Sequence, residues 1–295
     1  MADELVSGLL KDSDLRVVLV TTSELARHAR DVHRSEPGSA ALFAQGLTAA
    51  ALLGSLQKKE DSRINLQLEC DGPLRGLFVD GDSSGVVRGY VKNPYVSHLG
   101  SEGVYRWRPA LGNKGFLSVL RDLGEGEYYR SSVELEHFDL ARDLERYFTV
   151  SDQVSSRVFL TVLPAGEGAS EPLGTVAGLL VQTLPDGNRE EFQALGERLS
   201  RDFERTVAEH ASQGTPALLR ALVPQPDLEV MSRYPLRYTC TCSKDRVKRA
   251  LLAMGREELE DLLAKEGKAE ATCHFCTTHY EVSGEEIREL LGSVL

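Results

Sequence analysis

Positive charge is scarce in this 295-residue sequence: 34 lysines and arginines face 45 aspartates and glutamates, a net charge of −11. Nucleic-acid binding generally needs a basic face to neutralise phosphates, so this balance argues against a nucleic-acid partner. Long apolar runs are scarce too. The longest, Ala40 to Leu56, is interrupted by Gln45, Gly46, Thr48, Gly54 and Ser55. It falls short of the roughly 20 residues that a bilayer span needs, and no membrane role follows from it. The opening Met-Ala-Asp-Glu-Leu is acidic and lacks the apolar core of a secretory signal, which predicts a cytoplasmic, reducing compartment. No phosphate loop is present, because Gly124-Glu-Gly126 is followed by neither Gly-Lys-Ser/Thr nor a third glycine. Asp80-Gly-Asp82-Ser-Ser-Gly85 lacks the downstream glutamate of a calcium loop and predicts a hairpin turn instead. The seven histidines and many carboxylates form no local nucleophile or acid–base motif, so the sequence does not point to an enzyme.

Cysteine is also rare, with five in the chain, but four of them are concentrated in two close pairs: Cys240-Thr-Cys242 and, thirty residues further on, Cys273-His-Phe-Cys276. Thiolates at such spacings can fold back on one cation, and two pairs complete a tetrahedral four-sulfur site of the kind that suits zinc. The Cys-x-x-Cys spacing makes a tight knuckle. The shorter Cys-x-Cys spacing holds its thiols side by side and also suits a strained, readily reduced disulfide. Two states of the site are therefore open, thiolate–metal and disulfide. A zinc ribbon that never changes state stays open beside them, whereas permanent structural disulfides fit a reducing compartment poorly. Four sulfurs fill a tetrahedral site and leave no position for a catalytic water. His274 and His279 stand beside the site without being needed as ligands.

The rest of the chain predicts an α+β protein in three parts: an N-terminal sheet-and-helix core over residues 1–187, a charged amphipathic helical linker over 188–227, and a small zinc-binding domain over 228–295. In the core, Leu15 to Thr21 has the β-branched content of a strand, and Thr22 or Ser23 can cap a helix running through Ala29. Ser35-Glu-Pro37 opens a second helix, apolar on nearly every side, with Lys58 and Lys59 suiting its C-terminal end. From Ile64 the period changes to two, which places Cys70 on the apolar side of a strand as a core thiol. Further strands are expected at Leu74 to Val79, Val86 to Val91, Phe116 to Leu120, Tyr128 to Leu135, Val158 to Leu163 and Val176 to Leu184. Asp139 to Val150 reads as a helix with Leu140, Leu144, Tyr147 and Phe148 on one side.

Pro185-Asp-Gly187 marks a change of composition. The helix expected from Asn188 to Gln213 interleaves many charges with a stripe of Phe192, Leu195, Leu199, Phe203 and Val207, a single helix face that must lie on something apolar. Thr215 to Val223 predicts a second, shorter linker helix. Between the cysteine pairs, Lys244 to Met254 and Glu257 to Ala264 read as helices divided by Gly255, with Val247, Leu251, Met254, Leu259, Leu262 and Leu263 facing inward. His279 to Ser283 reads as a strand, and Ser283-x-x-Glu286 as the capping box of a last helix. A module this small buries little surface and is marginal without a staple. Structural zinc supplies about 10–16 kcal/mol in small zinc peptides, comparable with or greater than the stability of a whole domain.

At this point the residues resemble the 33-kDa heat-shock protein family of bacterial redox-regulated holdase chaperones. The resemblance spans nearly the whole chain. In the core it includes Leu47-Thr-Ala-Ala-Ala-Leu-Leu-Gly54, Cys70-Asp-Gly-Pro-Leu74, Arg88-Gly-Tyr90, Gly115-Phe-Leu-Ser-Val119, Asp143-Leu-Glu-Arg-Tyr147 and Ala177-Gly-Leu-Leu-Val-Gln182. In the C-terminal module it includes Cys240-x-Cys242-Ser243 and Cys273-x-Phe-Cys276. The resemblance implies that Cys240, Cys242, Cys273 and Cys276 bind one Zn2+ in a reduced, inactive state. It implies further that oxidation joins Cys240 to Cys242 and Cys273 to Cys276, releases the zinc and loosens the module and linker. By the same resemblance unfolding client proteins would then be held without ATP; the linker stripe and exposed core strands are candidate client surfaces. The resemblance also implies that homodimerisation accompanies activation and that clients pass to ATP-dependent foldase chaperones. The reading set against it is a constitutive zinc-ribbon adaptor, which the acidic balance disfavours.

Overall fold

The computed structural model describes residues 2–57, 59, 62–97, 107–124, 127–166 and 173–293. They form two compact units, Met1–Thr239 and Cys240–Leu295. In chain order the first contains β1 (Glu4–Leu10), β2 (Leu15–Thr21), α1 (Ser23–His33), α2 (Pro37–Ser55), β3 (Arg63–Cys70), β4 (Gly76–Asp82), β5 (Val86–Val91) and α3 (Trp107–Leu111). There follow β6 (Gly115–Gly124), β7 (Glu127–Glu134), α4 (Leu140–Tyr147), β8 (Ser156–Pro164), β9 (Leu173–Thr183), α5 (Arg189–His210), α6 (Thr215–Leu222), β10 (Leu228–Pro235) and β11 (Arg237–Tyr238). The second unit contains α7 (Lys244–Met254), α8 (Arg256–Glu266), β12 (Lys268–Thr272), β13 (His279–Ser283) and α9 (Gly284–Ser293). This mixture of helix and sheet is the expected α+β class.

Two sheets organise the first unit, one of five strands in the order β10-β1-β2-β9-β8 and one of six in the order β11-β5-β4-β3-β6-β7. Helix α2 lies between them. Its side chains share one apolar cluster with Val18, Val20 and Leu180 from the five-stranded sheet and with Leu66, Leu77 and Val79 from the six-stranded one. That position explains a helix with no polar face. At 19 residues, with a mean hydropathy of 1.2 in its most apolar stretch, α2 has the length and composition of a membrane span, but every residue of it except Pro37 and Ser55 is buried inside the unit. The close approach of sheet to helix depends on Gly81 in β4, where a Cβ would sit 2.4 Å from the Ala50 carbonyl oxygen. The helix ends at Ser55 with no basic residue in its last turn. Lys59 thus lies beyond the end it was expected to cap, and Lys58 lies outside the described residues, as does the Glu125-Gly126 part of the expected glycine turn.

Most expected strands occur with shifted ends. Leu74 and Arg75 do not open β4, because Leu74 N–H donates to the Ala110 carbonyl and Arg75, at φ +62°, turns back to Gly72. Asp82 closes the β4–β5 turn by accepting from the Ser84 and Val86 amides at 2.9 and 3.0 Å, so this acidic loop is a hairpin turn as expected. Helix α1 runs beyond Ala29 to His33, and its cap is remote in sequence. Thr22 makes no side-chain cap bond, while the Asp3 carboxylate accepts from the Glu24 and Leu25 amides at 3.1 and 2.5 Å. Burial raises Asp3 from the usual carboxylate range to about 6 against the pull of those two amides. Cys70 is half-buried at the edge of the core, and burial raises its thiol.

The charged linker lies on the face of the five-stranded sheet opposite α2. Asn188 caps α5 by accepting from the Glu190 and Glu191 amides at 3.0 and 3.2 Å. Phe192, Leu195, Leu199, Phe203 and Val207 are all buried, in one cluster with Val17, Leu19, Leu179 and Val181 from β2 and β9 and with Leu218, Leu219 and Leu222 from α6. The Phe203 ring meets that of Phe159 at 5.5 Å.

The boundary expected at Leu228 is displaced. Strand β10 pairs with β1 from Glu4↔Pro235 to Leu10↔Leu228, and β11 runs parallel to β5. Residues through Tyr238 therefore belong to the first unit. The physical reason is the β1 edge, whose backbone donors and acceptors β10 satisfies although its own side chains are largely exposed, Met231 at 62% among them.

In the second unit, β12 and β13 form an antiparallel hairpin from Lys268↔Ser283 to Thr272↔His279. Among the described residues its apolar core has five buried side chains, Leu259, Ala269, Val282, Ile287 and Leu291, with Val247, Leu251, Leu262, Leu263 and Leu290 half-covered against them. Met254 was expected to face inward, but it is the last residue of α7, beyond the end of this cluster, and is 47% exposed. Gly255 turns the chain into α8 at φ +97°, a conformation that favours glycine. The capping box of α9 forms in both directions: Glu286 N–H donates to Ser283 Oγ at 3.3 Å, and Ser283 N–H to Glu286 Oε2 at 2.9 Å. Lys244 and Lys248 of α7 also reach Glu286, at 2.7 and 2.8 Å. With the Ser283 amide, they hold its carboxyl at about 2.

Candidate metal centre

The second unit brings together all four cysteines of the two pairs. Cys240 and Cys242 lie on the segment that enters α7, which Ser243 caps by accepting from the Arg246 amide. Cys273 and Cys276 lie in the turn of the β12–β13 hairpin. That turn is closed by its own backbone, with Thr277 N–H donating to the Cys273 carbonyl at 2.8 Å and Cys273 N–H to the Thr278 carbonyl at 2.9 Å. Thr277 takes a left-handed conformation at φ +56° to complete it.

The four Sγ atoms lie within 4.8 Å of one another. Cys240 and Cys273 sulfurs are 3.7 Å apart, and those of Cys242 and Cys276 are 3.3 Å apart. Four sulfurs each about 2.3 Å from a central zinc form a tetrahedron with edges of about 3.8 Å, so this donor set fits such an ion in size and chemistry. All five cysteines of the chain are thiols rather than disulfides, and the four of the cluster are half-buried.

Thiols this close cannot all ionise without a cation between them, and their acidities diverge. Burial, aided by hydrogen bonds among the thiols, pushes Cys240 up to about 12, and burial also raises Cys242. Burial acts on Cys276 in the same sense, yet the Thr278 hydroxyl and amide together with the neighbouring thiols bring it down to about 6. Its surroundings thus favour the Cys276 thiolate, the form that both binds metal and attacks oxidants. The hydroxyl of Tyr280 lies 3.0 Å from the Cys242 sulfur, and this contact raises the phenol to about 12.

The four expected ligand residues thus converge. The linker stripe, by contrast, is wholly covered in this structure and presents no surface. Tyr280 and Thr278 were missed by sequence reasoning. Their signal was position, since both follow the Cys-x-x-Cys knuckle within four residues on a hairpin that must fold back to complete the site.

The family model described as Hsp33 protein matches residues 3–283 of this chain. A 33 kDa chaperonin from Cyanothece sp. is 34% identical over 298 residues, covering 100% of this chain and 98% of that protein. One from Thermodesulfovibrio yellowstonii is 35% identical over 295 residues, covering 99% and 100%. Among solved structures, the crystal structure of the 33 kDa chaperonin from Thermotoga maritima is similar with a TM-score of 0.80 at 29% identity, covering 99% of each chain. With its cysteine cluster assembled and its whole length matched, this chain belongs to the Hsp33 family.

Proposed function

We propose that the protein is a redox-regulated, ATP-independent holdase chaperone, inactive while reduced and activated by oxidation. Membership of the Hsp33 family supports a chaperone function. The observation that carries the regulatory reading is the convergence of four thiol sulfurs within 4.8 Å, in a unit whose apolar core has five buried side chains among the described residues. In the reduced state Cys240, Cys242, Cys273 and Cys276 hold one Zn2+. Bound there, zinc would supply folding free energy of about 10–16 kcal/mol.

Oxidation by a peroxide consumes the donors in pairs. One thiolate attacks the O–O bond, becoming a sulfenic acid as hydroxide leaves; its partner then displaces the sulfenic hydroxyl to close the S–S bond. With two protons taken up, two thiolates and one hydrogen peroxide give one disulfide and two waters. The pairs are Cys240 with Cys242 and Cys273 with Cys276. Disulfide sulfurs no longer act as thiolate ligands, so the donor set and the folding energy are lost together.

The second unit then unfolds, and the linker follows. In sequence the coupling runs through β10 and β11, which lie between α6 and Cys240. Strand β10 is an edge strand with exposed side chains, suited to peeling. Undocking of α5 uncovers Phe192, Leu195, Leu199, Phe203 and Val207 as a surface for unfolding clients. The active form is a homodimer in the cytoplasm, and it passes clients to ATP-dependent foldases without turning over a substrate itself.

The test is light scattering from a heat-unfolding protein, with this chain added reduced and zinc-loaded or pretreated with peroxide at elevated temperature. Suppression of aggregation by the oxidised form alone is expected. Equal suppression by both forms would leave the cluster a structural site, and no suppression by either would remove the chaperone reading.

A further inference from the structure

We infer that Tyr280 is a positioning residue of the cysteine cluster, its hydroxyl donating a hydrogen bond to the Cys242 sulfur that joins the two cysteine limbs and slows oxidation of that sulfur. The inference rests on the proposed reading of the cluster as a metal-binding redox site.

Tyr280 stands on β13, opposite Ala271 of β12, on the same hairpin that carries Cys273 and Cys276. Cys242 comes from the other limb, two residues before α7. The phenol oxygen crosses from one limb to the other and lies 3.0 Å from that sulfur. A ligand thiolate has no proton to give, so in the metal-holding state the phenol is the donor. The half-buried ring is positioned by the strand, which makes this contact part of the fold rather than a flexible surface encounter.

A sulfur that accepts such a bond has electron density engaged in it and is a weaker nucleophile. Attack on a peroxide oxygen draws on the same sulfur electron density and competes with the bond. Outer contacts of this kind also orient metal ligands, and their loss lowers metal affinity by about 10–100-fold. One hydroxyl therefore acts on two properties together: it holds the Cys-x-Cys limb in place and sets how much oxidant the cluster tolerates.

The experiment compares the full chain with Tyr280→Phe, which keeps the ring and removes the hydroxyl. Zinc affinity is measured by chelator competition without oxidant, and zinc release under peroxide is followed with a chromogenic chelator. Mass-spectrometric mapping then orders the thiols by reactivity. Expected are about tenfold weaker zinc binding, release about 3–10-fold faster, and a rise of Cys242 in the order of modification. Wild-type affinity, rate and order in the variant would overturn the inference while leaving the redox switch intact. Should the variant fail to fold, partial oxidation of the wild type decides: Cys242 among the last thiols modified supports the inference, and Cys242 first overturns it. A wild-type chain that neither binds zinc nor forms disulfides would overturn the switch, and the inference with it.

Discussion

Helices α2 and α7 show how differently the two units are held. Of the 19 residues of α2, all but the first and last are buried, whereas α7, of 11 residues, has none buried. The first unit is stabilised as a conventional domain, by apolar side chains packed on both faces of a central helix. The second relies on its ends: the Ser243 cap, the Lys244 and Lys248 contacts to Glu286, and the four sulfurs at the mouth of the hairpin. Stability of the first kind is indifferent to redox conditions. On the proposed reading, stability of the second kind is lost when thiolates are consumed, and the charged linker that packs on the first unit precedes the second in the chain.

The largest effect should come from Cys273→Ser. With a ligand of a site worth about 10–16 kcal/mol removed, the second unit should become protease-sensitive even under reducing conditions, and α5 should loosen with it. A resistant second unit and linker in that variant would erase the contrast. Leu47→Ala in α2 should cost about 2–5 kcal/mol of first-unit stability by denaturant melting and leave zinc affinity unchanged. Phe203→Ala removes the stripe residue that packs on Phe159 and should weaken docking of α5 by about 3 kcal/mol. Its expected readout is holdase activity at a lower peroxide dose than the wild type needs, and an unchanged dose would detach the linker from the switch.

Smaller effects follow from pH. Asp3 titrates near 6 in the folded state against an ordinary 3.8, so between those values the folded chain binds more protons than the unfolded one. First-unit stability should therefore fall as pH rises from about 4 to 6, by up to about 3 kcal/mol, and Asp3→Asn should flatten that slope. In the second unit Glu286 has the opposite sign. Its folded value of about 2 lies below the ordinary 4.5, so its contribution is present above pH 4.5 and is lost as pH falls toward 2. Opposite acid responses of the two units, followed by tryptophan fluorescence of the first and exchange protection of the second, would sharpen the comparison.

The sequence made the periodic and the chemically specific parts readable. The α5 stripe, the apolar α2, the Ser283–Glu286 capping box and the four cysteines each depend on residue types at fixed local spacing, and each stands where that spacing placed it. What it hid was long-range pairing. Strand β10 has mostly exposed side chains and no apolar alternation to announce it, because its partner β1 holds it through the backbone; hence the boundary placed near Leu228 instead of Cys240. The Asp3 cap of α1 escaped for the same reason, being a contact between residues some twenty positions apart. At the cluster, the ligand residue types were legible; for Tyr280 only its place just after the knuckle was, since the Cys242 sulfur it meets lies 38 positions away.

The most direct measurement is hydrogen exchange, read by mass spectrometry, on the full chain reduced with zinc and after peroxide treatment. The account predicts that oxidation strips protection from residues 240–293 and from α5 and α6, while β2, β3, β9 and α2 keep theirs. Protection retained in the second unit after both disulfides have formed, or lost equally from α2, would contradict it.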